Sequence, residues 1–180
     1  QGLRNCGGLN AGERVLIVGG SGGVGHYAVQ IAKAMDTNVT AVCSTGNVEM
    51  VRDLGADTVI DYNKQTDFAT DIKYDVVLDC VVKSPYKSFA AVMQADAVYV
   101  PALPSISFII KSYLMPLYTK RRVKPVMLKT NGIDLNFLSN LVREGKLRTI
   151  IDSSYSLNEY RKAFERNQTG RTRGKIIINF

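Results

Sequence analysis

Residues 14–25 read RVLIVGGSGGVG. Arg14–Val18 is an aliphatic, β-branched run, the composition of a strand covered on both faces. A glycine-rich turn follows. Beyond it Val24, Tyr27, Ala28, Ile31, Ala32 and Met35 recur at helical spacing and predict a helix over residues 23–35. Gly20, Gly22 and Gly25 satisfy the G-x-G-x-x-G pattern at this strand–helix junction. That pattern suits a dinucleotide. Gly20 permits the tight turn, Gly22 lets a pyrophosphate approach the backbone, and Gly25 lets the helix pack closely on the sheet. Ser21, Gly23 and Val24 complete a turn whose helix N-terminus offers unpaired N–H groups to phosphate. His26 follows the motif and is expected to be a partly exposed first-turn residue with no chemical role.

Outward from this turn, short apolar runs alternate with amphipathic ones. Strands are expected at 38–42, 58–60, 75–78, 97–100, 123–128 and 175–179. Helices are expected at 47–54, 84–93, 108–118, 133–144 and 157–167, with Gly55 and Gly145 as stops. Strands alternating with helices imply an α/β fold: a doubly wound parallel Rossmann sheet of about six strands flanked by helices.

The chain has 180 residues, 46% hydrophobic and 22% charged, which is globular composition and enough for a sizeable core. Its longest apolar stretch, 97–110, is interrupted by Pro101 and Pro104 and is too short to span a bilayer. Cys6, Cys43 and Cys80 are too few and too scattered for a disulfide framework, and Cys43 and Cys80, at the ends of apolar strands, read as inert core residues. A reducing compartment fits: the cytoplasm, or a mitochondrion if a targeting segment precedes Gln1. No metal site is expected, since the single histidine has no local cysteine or histidine cluster. Charge is uneven. Residues 1–110 carry 8 Lys/Arg and 11 Asp/Glu, whereas residues 111–180 carry 15 and 5. The basic third reads as a solvated surface or one that meets an acidic face; nucleic acid is not the expected partner, because aromatics do not interleave with the cations.

The tip of the second strand selects the cofactor. A carboxylate there usually holds a free ribose 2′-hydroxyl. Residues 42–47 read VCSTGN, without an acid, so Ser44 and Thr45 can donate to a 2′-phosphate. This favours NADP(H), although no Lys or Arg lies at the tip in sequence. A Tyr-x-x-x-Lys pair for proton transfer is absent, which argues against short-chain reductases. Asp79, at the end of the fourth strand, is open between lining the cleft and a structural role.

Further segments carry a resemblance. AGERVLI (11–17), SGGVG (21–25), AVQIAK (28–33), VTAVCS (39–44), LGAD (54–57), VIDY (59–62), YDVVLD (74–79), EGKLR (144–148), Ile151-Asp152 and GKIII (174–178) occur in order. Together they resemble the zinc-independent branch of medium-chain dehydrogenases/reductases, the quinone-oxidoreductase-like proteins that include the reticulon-interacting type. The resemblance implies an NADPH-dependent reductase passing hydride to a quinone, enone or other activated carbonyl. It implies cofactor contacts at the turn around Gly22, at Ser44, Thr45 and Tyr62, and near the nicotinamide at Pro101, Ala102 and Met127. It also implies a division into a cofactor domain, residues 1–130, and a return segment, residues 131–180, that would pack on a GroES-like substrate domain absent from this chain. Homodimers are common in such proteins, and the 98–100 region is expected as a sheet edge. No catalytic residue can be named. The alternative is an NADPH-binding regulatory or RNA-binding module without turnover.

Overall fold

A computed structural model describes residues 1–65 and 72–180. Its strands are β1 (Arg14–Val18), β2 (Asn38–Cys43), β3 (Thr58–Asp61), β4 (Tyr74–Asp79), β5 (Met93–Pro101), β6 (Arg122–Val123), β7 (Ile151–Ser156) and β8 (Lys175–Asn179). Its helices are α1 (Gly25–Ala34), α2 (Val48–Asp53), α3 (Tyr86–Ala90), α4 (Ile106–Leu114), α5 (Gly132–Arg143) and α6 (Tyr160–Gln168). Six strands form one sheet in the order β3-β2-β1-β4-β5-β6, every neighbouring pair parallel. The order reverses between β1 and β4, which opens a crevice at the carboxyl ends of the strands. This is the doubly wound sheet that the strand–helix alternation predicts.

Alternation along β1 divides the core. Val15 and Ile17 join one apolar layer with Val29 and Val51, and Leu16 and Val18 join the other with Tyr99 and Phe89. Leu3, within a wide helical turn at Gly2–Gly7 that the periodicity did not indicate, and Leu9 just after it close over the first layer.

Three elements differ from expectation. The sixth strand is two residues long instead of spanning 123–128. Lys124 and Val126 still donate to the carbonyls of Tyr99 and Pro101, but Pro101 of β5 has no N–H to return to the Lys124 carbonyl, and the regular ladder ends there. Short as it is, β6 covers the expected sheet edge at 98–100: Val98 and Tyr99 pair with Arg122 and Val123. Residues 91–93, expected to be helical, turn instead into β5, which begins at Met93.

The unexpected β7, IDSSYS, lies parallel to β8, with α6 as the crossover. Three serines and an aspartate hide it from a hydrophobic pattern. It is held by Asp152, whose carboxylate accepts from Arg166 at 2.6 and 2.8 Å, from the Arg173 N–H at 2.9 Å and from Ser153 at 3.0 Å. The Arg166 guanidinium holds its carboxyl well below the usual range. A depressed folded pKa stabilises above the ordinary carboxyl value near 4, and that contribution is lost as pH falls toward the folded value. Asp152→Asn is therefore expected to lower the melting temperature at pH 7 by more than at pH 3. An equal loss at both would show that the ion pair contributes nothing.

Candidate functional site

The glycine turn sits at the middle of the sheet's carboxyl edge. The left-handed residue is Gly19, with φ +81°, and not Gly20. Gly20 instead packs against the neighbouring strand, where an added Cβ would lie 2.9 Å from Ala41 Cβ. Gly25 brings α1 onto the strand end: an added Cβ would lie 2.0 Å from the Gly19 carbonyl oxygen. Gly22 differs, because its added Cβ would meet only that same oxygen, at 3.5 Å. The turn thus leaves open space over Gly22. Val24 is exposed.

His26 is fully buried, contrary to the expected partial exposure. Its Nδ1–H donates to the Gly22 carbonyl at 2.9 Å, one helical turn back, and its ring lies 3.9 Å from that of Tyr27. Burial lowers its pKa, the Gly22 bond opposes this, and Lys175 lowers it further. A neutral imidazole therefore braces the turn from beneath.

At the β2 tip, Asn47 donates to Ser21 Oγ at 3.0 Å and to Ser44 Oγ at 3.1 Å, tying the tip to the turn. Asn63 donates to Thr45 Oγ1 at 3.2 Å. Tyr62 follows β3 with its N–H on the Cys43 carbonyl, and its ring is half exposed beside the tip. Ser44, Thr45 and Tyr62 are thus brought together.

Pro101 pairs with Asp79 at the carboxyl end of β5, and the Ala102 N–H donates to the Asp79 carbonyl at 2.9 Å. Met127 follows Val126, which bonds Pro101, but is 63% exposed and outside any strand. Asp79 resolves as structural: fully buried, it accepts from Tyr99 Oη at 2.7 Å and from the N–H groups of Val81 and Val82 at 2.9 and 2.7 Å. Burial pushes the Cys43 thiol up to about 11 and the Cys80 thiol up to about 12, which leaves both unreactive at neutral pH. Among the described residues, no three of His, Cys, Asp and Glu converge as metal ligands.

Sequence reading missed the cations that complete the edge. The loop before β8 is latched onto the turn: the Gly174 N–H donates to the Ser21 carbonyl at 2.9 Å. Gly174 has φ +73°, and an added Cβ would lie 2.2 Å from the Ile150 oxygen, so only glycine fits. The latch points Arg173 at the β2 tip, where an ideal Cβ on Gly46 would lie 3.3 Å from Arg173 Nη2. It sets Lys175 at the turn, its Nζ 3.4 Å from an ideal Cβ on Gly23. The Arg173 guanidinium has no ion-pair partner among the described residues. Arg173 is 127 positions beyond Gly46; only the TGRTRG composition (169–174) hinted at an anion-facing loop.

These cradles fit a dinucleotide, and the comparisons agree with the architecture. Residues 54–178 match the family described as zinc-binding dehydrogenase. The chain is 36% identical over 171 residues to a chloroplastic quinone-oxidoreductase QR1 of Triphysaria versicolor, covering 92% of this chain and 52% of that protein. It is 35% identical to the mitochondrial NAD(P)H oxidoreductase RTN4IP1 of Drosophila melanogaster, covering 98% and 48%. A solved quinone oxidoreductase from Coxiella burnetii superposes with a TM-score of 0.88 at 31% identity, covering 100% of this chain and 56% of that one. The chain thus spans about half the length of the relatives it matches. Sheet order, glycine turn and matched family coincide, and the chain belongs to the zinc-binding dehydrogenase family, among the quinone-oxidoreductase-like medium-chain dehydrogenases/reductases.

Proposed function

We propose that this chain is the NADP(H)-binding part of a zinc-independent reductase acting on quinones, enones or other activated carbonyls. One observation carries the choice of NADP(H) over NAD(H): an unpaired guanidinium, Arg173, beside an acid-free strand tip that presents Ser44 and Thr45. A 2′-phosphate needs hydrogen-bond donors and positive charge, and this tip provides both without a carboxylate at the end of β2 to repel it. The named homologues, quinone oxidoreductases and an NAD(P)H oxidoreductase, support the reductase reading. Residues 131–180 would do more than pack on a preceding domain, since Arg173 and Lys175 come from that segment.

In this reading Gly22, Gly23 and Val24, with Lys175, hold the pyrophosphate. Ser44, Thr45, Tyr62 and Arg173 hold the 2′-phosphate. Pro101, Ala102 and Met127 flank the nicotinamide end. The bound cofactor supplies hydride from its C4, and these residues orient it and fix its charge. Calorimetric titration of the chain with NADPH and NADH tests the reading. NADPH is expected to bind at least about tenfold tighter, a difference of about 1.4 kcal/mol. Equal affinities would remove the 2′-phosphate assignment, and no binding of either would remove the cofactor assignment.

A further inference from the structure

The crossover helix α4 is apolar on two sides. Its inner side buries Phe108, whose ring lies 5.6 Å from that of Tyr99, and the following turn buries Met115. Its outer side exposes Ile106 (78%), Ile110 and Tyr113 (77%), with Leu114, Leu117 (78%) and Tyr118 continuing the stripe. A surface helix normally turns charge to water on that side. A contiguous stripe of large apolar side chains marks a contact surface.

Charge says what covers it. From residue 97 to residue 133 there are six Lys/Arg and no Asp/Glu. Leu117 and Tyr118 share one surface hollow with Lys120 and Arg122. Neither of those cations has an ion-pair partner among the described residues. Lys111 sits at the base of the stripe, 5.5 Å from the Phe108 ring. Apolar and tyrosyl side chains with Lys120 and Arg122 beside them match an anionic lipid surface, with acyl chains for the stripe and headgroup phosphates for the cations. A second copy seated by a two-fold axis would meet the same patch, setting acid-free against acid-free.

We propose that the outer face of α4, with the turn through Arg122, docks on an anionic bilayer surface. Nothing here spans the membrane: among the described residues no helix is long and apolar enough. Docking would leave the chain lying against the phase where apolar quinones dissolve.

Co-sedimentation with vesicles tests this, using phosphatidylcholine alone and phosphatidylcholine with about one third phosphatidylserine. Binding is expected only to the anionic vesicles and is expected to weaken with salt. Lys120→Gln with Arg122→Gln should weaken it about fivefold per cation removed. Ile110→Asp with Leu117→Asp should weaken it at least about tenfold. All four positions lie outside the proposed cofactor site, so NADPH affinity should not change in either variant. Failure of the docking idea is therefore distinguishable from failure of the cofactor reading. No sedimentation with either vesicle, or binding unaffected by both double variants, overturns the proposal. So does a dimer in solution that Leu117→Asp dissociates while vesicles are ignored, which would assign the face to a second copy.

Discussion

Replacing Gly22 by alanine is expected to impair cofactor binding while leaving the fold intact. The added methyl would meet only the Gly19 carbonyl oxygen at 3.5 Å, an ordinary contact, so the melting temperature should stay within about 2 °C of the parent. The same methyl would occupy the space proposed for the pyrophosphate. Forcing a methyl into a packed contact costs about 1–3 kcal/mol, so NADPH and NADH should both weaken by about tenfold to a hundredfold. Gly25 provides the contrast within one motif. Its added Cβ would lie 2.0 Å from one backbone atom and 2.7 and 2.8 Å from two more, none of which can rotate away. Gly25→Ala should cost about 3 kcal/mol or more, a fall of about 6–12 °C for a chain of this size. Thermal melts paired with calorimetry separate the two roles. Unaltered NADPH affinity in Gly22→Ala would sink the assignment of the turn, and an unaltered melt in Gly25→Ala would sink the packing argument.

Replacing Arg173 by glutamine should erase much of the preference for NADPH. A hydrogen bond to a charged group contributes about 1.5–3 kcal/mol, so NADPH affinity should fall by about tenfold to a hundredfold while NADH affinity stays level. Arg173 is exposed, and the bond it makes to the Asp152 carboxylate comes from its backbone N–H, which the variant keeps, so stability should not change. Lys175→Gln lies at the turn instead of the strand tip and should weaken both nucleotides alike. A ratio of NADPH to NADH affinity that survives in Arg173→Gln would return the selectivity to Ser44, Thr45 and Tyr62 alone.

The two predictions draw on different kinds of information. The place of Gly25 was legible in the sequence, because strand, turn and helix are contiguous and local sterics leave that position no room for a Cβ; Gly22 has that room, and its reading rests on the proposed pyrophosphate. The same locality made β1, β2, β3 and β4 readable: each carries consecutive apolar residues that face both layers, as strands of a parallel sheet covered by helices do. Local pattern failed where polar interactions or a single backbone feature decided the outcome. The β7 strand reads as serine-rich loop because Asp152 and its arginine hold it in place of an apolar face. A strand expected over 123–128 shrank to two residues because Pro101, on the strand beside it, has no N–H to return to the Lys124 carbonyl. His26 follows a glycine motif in a way that suggests solvent, but the Gly22 carbonyl one turn back gives its ring a partner inside.

From the sequence by itself come the class of sheet, the place of the glycine turn and the absence of a carboxylate at the β2 tip; each depends on residues within a turn or two of one another. The charge that answers that absence was decided only by tertiary structure. Arg173 reaches the tip because Gly174, confined to a left-handed backbone against Ile150, hydrogen-bonds the turn through Ser21. A contact between positions 46 and 173 leaves no trace in local periodicity, because spacing along the chain records which face a side chain takes and not which distant segment the fold brings to meet it.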